Sequence, residues 1–338
     1  MKEAMLYERL DGNKVKCGLC NHGCVIPEGK RGFCRVRENR AGKLYSLNYA
    51  KACSVAVDPI EKKPFMHWFP GTQVFSFATI GCNFRCKGCQ NWEISQTPEI
   101  FGRDLPPEEI IKLSKYYKVD GVAYTYTEPT IFFEYAYDTA KLAKKAGLYN
   151  VFVSNGYMTP EAIRKMGDID ATRVDLKFMD NKLYADYCSA PNGVESVTKS
   201  IKLLHKKGHV EVINLVIPTL NDSDDDFKAI ADFIASVDVK IPLHFSAFYP
   251  HHNAREYPAT PVEALERARK IALDAGIRYV YIGNVPGTDG EHTYCHKCGK
   301  PVIKRVGFEV TEYLLDGENK CFNCGAETYL KNSSNYKI

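Results

Sequence analysis

Gly81-Cys82-Asn83-Phe84-Arg85-Cys86-Lys87-Gly88-Cys89-Gln90-Asn91 follows directly on Val74-Phe75-Ser76-Phe77-Ala78-Thr79-Ile80. The second run is alternating and rich in β-branched and aromatic residues, which predicts a strand. The first sets three thiols in a Cys-x3-Cys-x2-Cys spacing. The thiols therefore sit on a loop leaving a strand end, where α/β active sites collect. Thiolates are soft ligands that suit iron–sulfur clusters or zinc. Three of them leave one position of a four-metal cluster, or of a zinc ion, without a local protein ligand. An open position marks a catalytic metal, whereas a structural one is closed. A zinc knuckle with a remote fourth ligand is the competing reading of the same spacing.

Downstream, helix and strand periods alternate. Helices are expected over 106–117, 130–146, 160–166, 194–207, 224–236 and 261–275. Strands are expected over 121–127, 149–154, 171–176, 210–217, 243–248 and 278–282. Gly147, Gly167, Gly208 and Gly276 supply helix stops. Repeated strand–helix units imply a parallel sheet. Six or seven such units over residues 74–284 predict a partial (β/α)6 TIM-type barrel, with the cysteine loop at its C-terminal mouth.

Cysteine-rich appendages flank this core. In residues 1–73, Cys17-x2-Cys20-x3-Cys24-x9-Cys34 fits four thiolates around a structural zinc or an auxiliary [4Fe–4S] cluster. The spacing does not choose, although a short segment that folds on metal favours zinc. His67 and Trp68, near the end of this region, are expected to pack at the barrel rim. In residues 285–338, Cys295-x2-Cys298-Gly299 and Cys321-x2-Cys324-Gly325 form two matching knuckles, the signature of a zinc-ribbon or rubredoxin-like domain. Zinc is favoured there over a redox iron. Of 13 cysteines, these three groups leave only Cys53 and Cys188, read as small packing residues.

The 338 residues are 45% hydrophobic and 25% charged, the profile of a soluble globular protein. No apolar run reaches the roughly 18–20 residues of a membrane span. The N-terminus lacks a signal-peptide pattern, so a cytoplasmic location is expected. The net charge of +4 is modest and the lysines are scattered, so nucleic acid is not indicated as a partner.

The central spacing resembles the signature of the radical S-adenosylmethionine (radical SAM) superfamily. The resemblance runs over about residues 74–283 and is nearest to the pyruvate formate-lyase activating enzyme branch. With both appendages, the chain resembles the AmmeMemoRadiSam group of that branch. The resemblance implies that Cys82, Cys86 and Cys89 bind a [4Fe–4S] cluster whose fourth iron is chelated by SAM. It places the SAM amine near Thr127 and Glu128, in Tyr124-Thr125-Tyr126-Thr127-Glu128-Pro129, where Tyr126 and Thr127 replace the family's two glycines. Ser154-Asn155-Gly156 matches the family's Thr-Asn-Gly turn near the methionyl and ribose groups. Asp175 and Lys177, on one face of a strand end, match its Asp-x-Lys for the ribose and carboxylate. His244 is expected to line the adenosine or substrate region. Gly88 stands where the family often carries an aromatic residue beside adenine, so adenine contacts are expected from its backbone or from elsewhere, with Phe84 and Trp92, otherwise core residues, as the substitute rings.

The activity so implied is reductive cleavage of SAM to a 5′-deoxyadenosyl radical that abstracts hydrogen from a substrate. Such an enzyme would be an oxidoreductase and a candidate glycyl-radical activase with a protein substrate. It needs a one-electron donor such as ferredoxin or flavodoxin. Two other readings remain at this point. One is a radical SAM enzyme modifying a small molecule, lipid, peptide or RNA. The other is a non-enzymatic zinc-finger binding module.

Overall fold

The computed structural model describes residues 1–331. Its core is an eight-stranded sheet. Seven strands run parallel in chain order: Gln73–Ala78, Gly121–Tyr124, Tyr149–Ser154, Ala171–Asp175, His209–Val216, Leu243–Ala247 and Val280–Gly283. Six crossovers join them, which gives the expected partial barrel with one terminal strand added. An eighth strand, Ser54–Pro59, pairs antiparallel with Gln73–Ala78. The main sheet thus begins before residue 74, inside the segment read as N-terminal appendage.

The period of two sorts side chains between the two faces. Phe77 points outward and packs on Phe132 and Tyr135 under the helix Phe133–Lys145. Val74, Ala123, Val151 and Ala171 point inward and pack on Ile60, Phe65 and Trp68. Those three belong to the segment entering the first parallel strand from its N-terminal end, so they plug the base of the barrel. Trp68, expected at a rim, is a buried base residue, and so is His67.

Helix ends follow local chemistry. Ser223 and Asp226 form a reciprocal capping box at the start of Asp224–Val237. Two α-helices escape the periodicity reading: the single turn Trp92–Ser95, and Asn181–Cys188, capped by Asp180, which accepts from the N–H groups of Lys182 and Leu183. The second packs against the cysteine loop.

At the N-terminus, short antiparallel strands carry the first four cysteines, including Val15–Cys17 paired with Tyr7–Arg9 and Val25–Ile26. At the other end, Thr293–Tyr294, Pro301–Val306 and Glu309–Tyr313 form a three-stranded ribbon. The ribbon docks under the barrel base. Buried Arg305 pairs with Glu61 and donates to the Met66 carbonyl at 3.0 Å, while His67 faces the Tyr329 carbonyl at 3.2 Å. The end of the expected 285–338 domain, residues 332–338, lies outside the described residues. Among the described residues, no helix is long and apolar enough to cross a membrane.

Candidate active site

The three central thiols leave the C-terminal end of the first parallel strand, as the sequence predicts. Two neighbours hold their loop. The C-terminal end of the helix Asn181–Cys188 supplies carbonyls: Cys188 accepts from the Arg85 N–H at 2.8 Å and Tyr187 from the Lys87 N–H at 3.0 Å. The N–H of Phe84 points at Cys82 Sγ, 3.3 Å away. Cys188, read as a packing residue, lies against Cys86 and hydrogen-bonds it. That bond, with the Lys177 charge, outweighs burial and draws the Cys86 thiol below its usual pKa. Burial pushes Cys82 and Cys89 up. A thiol that deprotonates readily is the better ligand.

Glu128 organises the next layer. It is buried, and its carboxylate accepts from Thr130 N–H at 3.0 Å, Thr130 Oγ1 at 2.5 Å, Ser154 Oγ at 2.8 Å and Asn155 N–H at 2.7 Å. Burial raises its pKa against these four donors. The effect is to clamp the Ser154-Asn155-Gly156 turn. Asn155 Nδ2 then donates to Asn83 Oδ1 at 2.7 Å, inside the cysteine loop, and lies 4.0 Å from Cys82 Sγ. Glu128 and Ser154 are therefore fully engaged within the protein and act by positioning Asn155. Thr127 likewise spends its hydroxyl on the Thr79 carbonyl at 2.7 Å.

Tyr126, read from the resemblance as standing in for a glycine, lies at φ +62°, in the left-handed region that favours glycine. That region costs a side-chain-bearing residue about 1–3 kcal/mol. Offsetting contacts are visible: its hydroxyl donates to Asp58, its ring lies under Lys63, and its carbonyl accepts from Asn91 Nδ2 at 2.8 Å.

Asp175 and Lys177 share a face and pair at 3.0 Å, with Arg173 on the far side of the carboxylate. Burial would raise Asp175, but the two cations outweigh it and hold its pKa below the usual carboxylate range. The Lys177 ammonium also faces Cys86 electrostatically. Asn214 and Asn221 fix this strand end by donating to the Lys177 carbonyl at 3.0 and 2.9 Å. Neither asparagine was singled out from the sequence, because a buried amide on a carbonyl leaves no pattern in the chain.

Gly88 is closed in by an aromatic after all. A Cβ there would lie 2.4 Å from Tyr187 Oη and 3.0 Å from the Phe248 ring. The ring absent from position 88 is matched by Tyr187, brought in by the helix Asn181–Cys188, which the sequence reading missed. His244 is not brought to the cysteine loop. Its Nε2 meets Glu211 at 2.8 Å, and Glu211 also accepts from the N–H groups of Met66 and His67 at 3.0 and 2.8 Å. His244 thus belongs to the plug beneath the site.

The mouth fits a metal-bound polar ligand. It offers three thiols, a carboxylate–ammonium pair, Asn155, and a buried Asn83 Nδ2 with no hydrogen-bond partner among the described residues. Of the two flanking cysteine groups, the ribbon lies at the other end of the barrel, and the N-terminal one borders the central loop through Gly81 and Cys34. The ribbon sulfurs draw together, Cys295 to Cys324 at 3.6 Å and Cys298 to Cys321 at 3.8 Å. The N-terminal four surround a separate cavity.

Comparison with known proteins agrees with this geometry. The sequence profile of the radical SAM superfamily matches residues 77–234. MJ0808 of Methanocaldococcus jannaschii, an uncharacterized protein, is 47% identical over 96% of this chain and 98% of its own. A putative glycyl-radical enzyme activating enzyme of the same organism is 27% identical over 61% of this chain and 77% of its own. The pyruvate formate-lyase-activating enzyme of Staphylococcus epidermidis is 25% identical over 50% of this chain and 71% of its own. With its three thiols at the mouth of a parallel partial barrel, the chain belongs to the radical SAM superfamily, in the branch of the pyruvate formate-lyase-activating enzymes.

Proposed function

We propose that the protein is a glycyl-radical activase: it binds a [4Fe–4S] cluster and SAM at the barrel mouth and removes hydrogen from a partner protein. The observation that carries this is the convergence of Cys82, Cys86 and Cys89 with Asn155, Asp175 and Lys177 at neighbouring strand ends. The bound cluster and SAM supply the one-electron cleavage chemistry that makes a hydrogen-abstracting species. The chain's own groups bind and orient. The three thiolates ligate three irons. Lys177 offers an ammonium to the SAM carboxylate, Asp175 a carboxylate to ribose hydroxyls, and Asn155 an amide to the methionyl end. Glu128 holds Asn155 in place, and the apolar plug of Phe65 and Trp68 closes the base against water.

A protein substrate is supported by the activating enzymes among the relatives. It is supported also by an aromatic surface at the mouth. Exposed Trp92 stacks on His252 at 4.6 Å just after the cysteine loop, and exposed Tyr249 lies near by in sequence to His252. Zinc is proposed for the C-terminal ribbon, and ferredoxin or flavodoxin as electron donor. The test is to react the reconstituted protein, SAM and reductant with a glycyl-radical enzyme carrying deuterated glycine. Deuterium in 5′-deoxyadenosine is expected with the deuterated partner, and a glycyl EPR doublet with the undeuterated one, whose radical keeps one α-hydrogen. Absence of both from every such partner of the source organism would refute the activase reading.

A further inference from the structure

Cys17, Cys20, Cys24 and Cys34 line one cavity together with Leu19, Ile26 and Arg37. Arg37 is 1% exposed, and its Nη2 donates to both carboxylate oxygens of Glu134, at 2.9 and 2.6 Å. Its Nε and Nη1 are buried with no hydrogen-bond partner. A buried cationic donor left unmatched is costly, so the cavity is built for negative charge. Four thiolates around a metal centre carry that charge, and four neutral thiols do not.

What the thiolates hold is decided by how far apart the sulfurs stand. At the C-terminal ribbon all four lie within 4.8 Å of one another, with contacts of 3.6 and 3.8 Å. That is the edge of a tetrahedron centred on a single ion about 2.3 Å from each sulfur. Among the described residues, no other group of three or more candidate ligands is drawn in so tightly. The N-terminal sulfurs therefore stand wider around their cavity. A wider set encloses a wider object, and a [4Fe–4S] cluster puts its irons and sulfides between the same four thiolates. The Phe33 N–H points at Cys24 Sγ from 3.5 Å, the kind of backbone donor that tunes cluster sulfur.

This cavity adjoins the central loop. Gly81, the residue before Cys82, sits at φ +94°, and a Cβ there would lie 3.0 Å from the Cys34 carbonyl and 2.7 Å from Val36 Cγ1. His22 Nε2 meets the Asn83 carbonyl at 2.6 Å, with its ring stacked on Phe33 at 4.2 Å. Arg85 spans the gap, donating to the Cys82 carbonyl at 2.8 Å and the Phe33 carbonyl at 2.5 Å. The ribbon, by contrast, lies at the opposite end of the barrel.

We infer that Cys17, Cys20, Cys24 and Cys34 hold a second [4Fe–4S] cluster, which takes one electron from a reduced ferredoxin- or flavodoxin-type protein and passes it to the central metal site. The donor is oxidised by one electron as the N-terminal cluster is reduced by one. The cluster returns to its oxidised state as the central site is reduced, and no proton or group moves. The relay role rests on the function proposed above, whereas the identity of the cluster does not.

The full-length C82A/C86A/C89A variant, reconstituted anaerobically with iron and sulfide, should retain about four irons and four sulfides per chain and give an EPR signal on reduction. Because that variant can misfold, the wild type is counted in parallel, and C17A/C20A should lower it from about eight irons to about four. A wild-type count of about four, or zinc without sulfide in the triple variant, overturns the cluster. For the relay, freeze-quenched wild type mixed with reduced ferredoxin should show first the signal that SAM does not alter. The opposite order overturns the relay. If SAM alters neither signal, the function proposed above fails while the iron and sulfide counts still decide the N-terminal cluster.

Discussion

Glu128→Gln is the substitution that best isolates positioning from ligation. The carboxylate uses one oxygen for Thr130 and Ser154 and the other for the Asn155 N–H at 2.7 Å. A glutamine can keep the first three bonds through its carbonyl. Its NH2 group then faces the Asn155 N–H, donor against donor. Losing a hydrogen bond to a charged acceptor in a buried site costs about 2–3 kcal/mol. If that energy holds Asn155 where SAM meets it, affinity falls by roughly 30- to 150-fold, since each 1.4 kcal/mol is tenfold. The thiols are untouched, so iron and sulfide content should match wild type. Equilibrium binding of SAM to the reconstituted variant reads the effect. Affinity within threefold of wild type, at equal iron content, would refute the positioning role.

Other expectations follow from the same geometry. Asp175→Asn and Lys177→Ala should keep wild-type iron content and bind SAM at least about tenfold more weakly, the equivalent of one charged hydrogen bond; unchanged binding in both would place the pair outside the site. Removing metal from the ribbon by C295A/C298A should loosen residues beyond 285 to proteolysis while SAM cleavage persists, and metal analysis of the wild-type ribbon should find about one zinc by the tetrahedral-site rule. His67 sets a pH dependence at the barrel base. Burial depresses its pKa to about 3. A depressed folded value means that stability is fully present above the unfolded pKa near 6.5 and is lost as pH falls towards 3. Between pH 7 and pH 4 the loss is about 3 kcal/mol. Glu211, held well below its usual range, adds to it only below about pH 4.5. Thermal unfolding across this range should flatten in His67→Phe, and an unaltered slope would remove His67 from the account.

The barrel was legible because its signals are local. Alternation marks strands such as Gln73–Ala78, and Gly147 marks a helix end. The cysteine spacing was legible because three thiols on a short loop have few structural explanations. What stayed hidden depends on contacts between distant segments. The helix Asn181–Cys188 is short, and its aromatic residues are weak helix formers. Its signal, Asp180 followed by Tyr184, Tyr187 and Cys188 on one buried face, was present and passed over. With it went Tyr187 against Gly88 and Cys188 against Cys86. His244 sits on a predicted strand facing inward, but its partner Glu211 ties it to a plug that no periodicity reveals. Ser54–Pro59 was lost because an antiparallel edge strand lies outside the strand–helix rhythm.

The central claim is tested most directly by one product assay. Anaerobically reconstituted wild type and C86A, each with SAM and a strong one-electron reductant, are compared for 5′-deoxyadenosine and methionine. Wild type should form both in equal amounts, and C86A neither, while the variant keeps the wild-type circular dichroism spectrum. No 5′-deoxyadenosine from a wild type that carries its full iron and sulfide, or equal formation by C86A, would contradict the assignment of the three thiols.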